Sequence, residues 1–176
     1  MNVVECPGLI LLSKVANHDQ IKSVLLDQIS QMGVFGMRTN QECLYSTDYL
    51  LPKEWPRPYI KTVLPILKNH NQQVKVSLDS PDHGYMSIHN IWYHQYQTGD
   101  WHNWHSHPDC NLSNVYFVSL DQDNPKTTFK HLGKEFQVDV EEGMIITFPS
   151  HMLHCSPPNQ SPNMKTVIAF NSQLDF

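Results

Sequence analysis

Apolar positions in the first half of the chain recur with the period of a helix. In "HDQIKSVLLDQISQMG", residues 18–33, Ile21, Leu25, Leu26 and Ile29 fall on one stripe, and the stretch closes on a glycine. That pattern predicts an amphipathic helix with a C-terminal stop. Residues 58–72, "PYIKTVLPILKNHNQ", repeat the stripe with Ile60, Val63, Leu64 and Leu67. Pro58 suits a first helical turn, and Pro65 predicts a kink inside the helix. Beyond residue 84 the period changes. The segments "YMSIHNIWYHQY", "SNVYFVSL", "KTTFKHL", "KEFQVDV", "GMIITFP" and "KTVIAFN" are short and rich in β-branched and aromatic residues, with Gly, Pro, Asn and Asp clusters between them. They predict successive β-strands. Helices followed by a run of strands predict an α+β, mainly β fold, a β-sandwich or barrel; at this strand count a double-stranded β-helix (jelly roll) of two facing antiparallel sheets is the natural candidate. The two helices should support an outer face. With no repeat or linker, residues 1–176 are expected to form a single domain, helical over about 1–80 with a β core over about 85–172.

Composition narrows the function. At 176 residues the chain is long enough to bury a core. Its 40% hydrophobic and 16% charged content excludes a disordered tail. The net charge of −5, with Arg38 and Arg57 as the only arginines, argues against a nucleic-acid partner. No apolar run approaches the ~18 residues of a membrane span. No basic residue precedes the apolar part of "MNVVECPGLILLSKV", so no secretory signal is expected. Cys6, Cys43, Cys110 and Cys155 are scattered without a CxxC pair, and are expected as reduced thiols in a cytoplasmic protein.

The chemistry concentrates in "WHNWHSHPDC", residues 101–110, which holds three of the eleven histidines. Neutral imidazole is the commonest protein metal ligand. Residues i and i+2 of a strand face one side, so His105 and His107 can aim together with Ser106 turned away. A third ligand must come from elsewhere. His154 in "FPSHMLHCSPPN" is the candidate, 49 positions after His105 and just beyond the strand "GMIITFP". His102 and His151 are expected outside the ligand set. His18, His70, His83 and His131 each stand alone and read as structural or solvent-exposed.

Around these histidines, "YQTGDWHNWHSH" resembles the start of the metal motif of iron(II)/2-oxoglutarate-dependent oxygenases of the prolyl-hydroxylase type. There a tyrosine and then a glycine precede an HxD pair; here Tyr96 stands nine and Gly99 six residues before His105. "HPDCNLSNVYFV" resembles the "HP…LSGVYYV" segment of a smaller oxygenase branch from bacteria and their viruses. "EEGMIITFPSHMLHCSPPN" followed by "KTVIAFN" is similar to that branch's closing motif, in which a strand ending in FPS leads to the distal histidine and then to a basic residue. The resemblance spans roughly residues 85 to 172.

This resemblance implies Fe(II), 2-oxoglutarate and dioxygen as cofactor and cosubstrates. It also implies hydroxylation of a substrate C–H bond, in a peptide, protein or small molecule, with a peptidyl proline among the candidates. It makes His105 the first ligand and His154 the distal one. His107 stands where the family has a carboxylate, a departure from the 2-His-1-carboxylate triad. Because His107-Pro108-Asp109 also spells HxD, Asp109 remains the alternative ligand; the Gly99 spacing favours His107. No arginine follows Arg57, so Lys165, eleven residues after His154, takes the place of the family's partner for the distal carboxylate of 2-oxoglutarate. It offers a point charge without the fork of arginine. On its strand, Lys165, Val167 and Ala169 share one face, the smaller set, assigned to the pocket. Tyr96 and Ser113 are read either as hydrogen-bond donors to the cosubstrate or as strand packing. Trp101 and Trp104 are read either as pocket walls or as core aromatics. Two other functions stay open: a three-histidine cupin-type dioxygenase working without 2-oxoglutarate, and a non-catalytic metal-binding jelly-roll module. Neither needs a buried cation at Lys165.

Overall fold

The computed structural model describes residues 2–6, 8–78 and 85–175; His83 lies outside the described residues. The chain opens with β1 (Asn2–Cys6), β2 (Gly8–Lys14) and α1 (His18–Gln31), followed by the short strands β3 (Met37–Arg38), β4 (Glu42–Leu44) and β5 (Ser46–Thr47). After α2 (Pro58–Ser77) come β6 (Tyr85–Tyr96), β7 (Trp101–His105), β8 (Leu112–Ser119) and β9 (Thr128–His131). The remaining strands are β10 (Lys134–Gln137), β11 (Met144–Pro149), β12 (Leu153–Ser156) and β13 (Lys165–Asp175). A seven-stranded sheet runs β1-β2-β11-β8-β13-β6-β5, and a six-stranded sheet runs β10-β9-β12-β7-β4-β3. The pairings are antiparallel. The fold is a jelly roll, mainly β, as the strand pattern predicts.

Two apolar layers follow from strand alternation. Between the sheets lie Ile10, Leu44, Phe117, Phe129, Ile146, Phe148 and Val167. The neighbours of several of these, Tyr116, Val118, Ile145 and Ile168, point the other way, as does Phe170, and meet Leu25 and Ile29 of α1 and Tyr59, Val63 and Leu67 of α2. The helices therefore cover the outer face of the seven-stranded sheet.

Two differences from the sequence reading have physical causes. The N-terminal part, expected to be helical, also contributes strands β1 to β5. β2 is a short apolar run that pairs with β11, and β3 to β5 are too short to show a period. Helix α2 runs five residues past its predicted end at 72. There the buried stripe is continued by polar residues, His70 and Asn71, before Val74. Ser13 Oγ pairs with His70 Nδ1 (2.7 Å) and Thr147 Oγ1 with His70 Nε2 (2.6 Å), while Ser172 Oγ donates to Asn71 Oδ1 (3.0 Å). These bonds satisfy groups whose burial would otherwise be costly. Burial lowers the pKa of His70 to about 4.

Candidate metal centre

β7 and β12 pair antiparallel with His105 directly opposite His154, so the ladder makes neighbours of residues far apart in sequence. His107 follows two residues beyond the end of β7, its amide anchored to the Ser150 carbonyl (2.9 Å). One nitrogen from each of His105, His107 and His154 lies within 4.8 Å of the other two.

The second nitrogen of each ring is committed. His105 Nδ1–H donates to the Asn103 carbonyl (2.8 Å), His154 Nδ1–H to the Met152 carbonyl (3.0 Å), and His107 Nδ1–H to Asn171 Oδ1 (2.9 Å). A carbonyl oxygen only accepts, so these bonds fix the tautomer and leave Nε2 as a lone-pair donor. His107 Nε2 is buried without a hydrogen-bond partner. Burial lowers the pKa of all three rings, that of His107 to about 4, and so favours the neutral form that ligates metal. Three neutral nitrogens converging on one point, one of them unanswered, suit a divalent cation of borderline softness.

Asp109 is exposed at the cavity rim and lies outside this convergent group. His102 and His151 also lie outside it. A register shift between β7 and β12 turns His102 to the same side as His105. Its ring stacks on His105 (3.9 Å, 13°) and its Nε2 meets Glu42 Oε2 at 3.2 Å. His151 is exposed.

The triad opens into a cavity of about 350 Å³ between the sheets. Lys165, Val167 and Ala169 line it, while Ile168 and Phe170 face the helices. Lys165 is 1% exposed, its Nζ donating to the Pro125 carbonyl (2.6 Å) and Ser156 Oγ (3.0 Å) and standing 5.1 Å from the Tyr96 ring centre. An ammonium carries three protons, and no carboxylate among the described residues pairs with it. Burial lowers its pKa to about 7. Tyr96 and Ser113 also line the cavity, both buried; Ser113 Oγ reaches Asn171 Oδ1 at a long 3.5 Å.

Trp101 and Trp104 are not cavity walls. They line a separate open groove with Pro157 and Pro158, and the Trp104 ring lies 5.1 Å from Lys130 Nζ. The aromatic wall is instead Trp92, stacked on His107 (5.7 Å, 23°). Trp92, His94 and Asn171 are site residues the motifs did not flag. Their signal was the two-residue period, which puts Trp92 and His94 on the face of Tyr96, and Asn171 on the face of Lys165.

No protein-family model matches the sequence, and no curated protein matches it. Solved structures do resemble it. A prolyl-4-hydroxylase from Pseudomonas putida aligns at a TM-score of 0.68 and 11% identity, covering 97% of this chain and 95% of that one. A 2OG-Fe(II) oxygenase family oxidoreductase from Burkholderia pseudomallei aligns at 0.68 and 10% identity, over 93% and 84% of the two chains. A prolyl hydroxylase from Trichoplax adhaerens, in complex with a hypoxia inducible factor peptide fragment, aligns at 0.65 and 14% identity, over 93% and 83%. The resemblance read in the β half thus extends to the fold of nearly the whole chain. No helix among the described residues is long and apolar enough to cross a membrane.

Proposed function

We propose that this chain is an Fe(II)/2-oxoglutarate-dependent oxygenase that hydroxylates a substrate C–H bond. The observation that carries the reading is one cavity holding both the three converging imidazoles and the buried Lys165 amine. A buried cation without a carboxylate partner is costly, and an anionic ligand would offset that cost. His105, His107 and His154 would hold the metal through Nε2. Lys165 would meet the distal carboxylate of 2-oxoglutarate, with Tyr96 and Ser113 as hydroxyl donors. Bound Fe(II) supplies the coupling of 2-oxoglutarate decarboxylation by dioxygen to C–H hydroxylation. The sheets hold the ligands in place and shield the reacting end from water. The solved relatives that are prolyl hydroxylases support a peptidyl proline as one substrate class.

A three-histidine dioxygenase working without 2-oxoglutarate is the second reading, favoured because, among the described residues, no carboxylate joins the convergent group. Anaerobic titration with Fe(II), with and without 2-oxoglutarate, separates the two. The expected result is a weak visible charge-transfer band that needs both components. Metal uptake without any 2-oxoglutarate-dependent band favours the second reading, and no metal uptake removes both.

A further inference from the structure

Trp92, His94 and Tyr96 of β6 lie opposite Ala169, Val167 and Lys165 of β13, and all six line the cavity. These cross-strand pairs form a ladder from the buried amine to Trp92, which stacks on His107. His94 is the middle rung and is 6% exposed. Trp92 Nε1–H donates to His94 Nε2 at 2.8 Å. An indole N–H can only donate, so Nε2 must present its lone pair. A neutral imidazole has one N–H, which then sits on Nδ1. That nitrogen is buried and has no hydrogen-bond partner among the described residues. The nearest rings, His102 and Tyr96, stand edge-on at 5.5 and 6.1 Å and accept no hydrogen bond from it. Trp92 therefore holds a histidine in the one tautomer that leaves a donor unanswered beside the cavity.

We propose that His94 is a cosubstrate-binding residue whose Nδ1–H hydrogen-bonds an oxygen of the anionic cosubstrate between Lys165 and the histidine triad. This rests on the reading of the cavity as a 2-oxoglutarate site. Two residues along a strand advance about 7 Å, so His94 stands one such step from the Tyr96–Lys165 pair toward the triad. A five-carbon diacid spans that order of distance. One carboxylate then meets the amine, and an oxygen nearer the metal end meets a neutral donor of fixed orientation. Trp92 acts as the positioning residue.

The test uses the full chain loaded with Zn(II), which is diamagnetic and redox-inert. Nitrogen-resolved NMR of the histidine rings should place the His94 proton on Nδ1, and adding 2-oxoglutarate should move that proton downfield. Calorimetry should find 2-oxoglutarate binding at least about tenfold weaker in His94→Phe, which keeps a ring but loses the donor. His94→Asn, whose amide nitrogen can stand where Nδ1 stood, should recover most of the affinity. Zn(II) affinity without 2-oxoglutarate should be unchanged in both. A proton found on Nε2, or His94→Phe binding 2-oxoglutarate as the unmodified protein does, overturns the proposal and leaves the oxygenase reading standing. An unmodified protein that takes up no 2-oxoglutarate overturns both. Should a substitution unfold the chain, the tautomer and its response to 2-oxoglutarate in the unmodified protein decide the matter.

Discussion

Asn171 Oδ1 accepts the Nδ1 proton of His107 and thereby aims Nε2 at the other two rings. Partners of this kind typically govern metal affinity by about 10–100-fold. Asn171→Leu should weaken metal binding on that scale in a chelator competition, whereas Asn171→Asp, which keeps an acceptor and adds charge, should not. Lys165 sets a pH dependence whose sign follows from its burial. Its pKa in the free protein is lowered to about 7. A bound carboxylate favours the charged amine and raises that pKa, so binding above neutral pH takes up protons. The affinity for 2-oxoglutarate should fall as pH rises past about 7, with proton uptake visible as a buffer-dependent enthalpy in calorimetry. Lys165→Ala should lose roughly 1.5–3 kcal/mol of 2-oxoglutarate binding together with that pH dependence, and keep metal affinity measured alone. The histidine pair could be picked out in the sequence by its spacing, and Lys165 through the family resemblance of its strand. His94 and Asn171 were harder to see, since an inward-facing polar residue reads as unremarkable until its partner is known.

The start of α1 packs closely on the turn before β11, where Gly143 meets His18. Gly143 has φ +84, and a Cβ there would stand 2.9 Å from His18 Cγ. His18 cannot yield freely, because its ring is bonded to Tyr116 Oη (2.7 Å) and its Nε2 meets Glu142 Oε1 (3.4 Å). Gly143→Ala combines a left-handed backbone penalty with a clash, and should destabilise the fold by about 2–4 kcal/mol in denaturant unfolding. The helices were legible because each carries an apolar stripe of several turns. The end of α2 was not, because His70 and Asn71 interrupt the apolar stripe with polar side chains that hydrogen-bond to the sheet. The strands β3 to β5 were hidden because two or three residues show no period.

At the scale of the molecule, the three ligands come from two strands and a loop that only the folded chain brings together, so metal should bind the native state and not the unfolded one. A divalent metal at about 100 times its Kd should stabilise the protein by about 2.7 kcal/mol. For a chain of this size that is a rise in Tm of about 5–10 °C, read by differential scanning. A chelator should reverse the rise, and His154→Ala should abolish it. The sequence by itself determined the helix stripes, the inward and outward faces of the β strands, and the adjacency of His105 and His107. Each of these is a local periodicity of 3.6 or 2 residues. Tertiary structure alone decided which strands pair. It set His154 opposite His105, turned His102 beside them through a register shift, sent Trp101 and Trp104 to an outer groove, and left Asp109 at the rim. The physical reason is that strand pairing and the burial of polar side chains depend on partners distant in sequence, and no local pattern encodes which partner closes the loop.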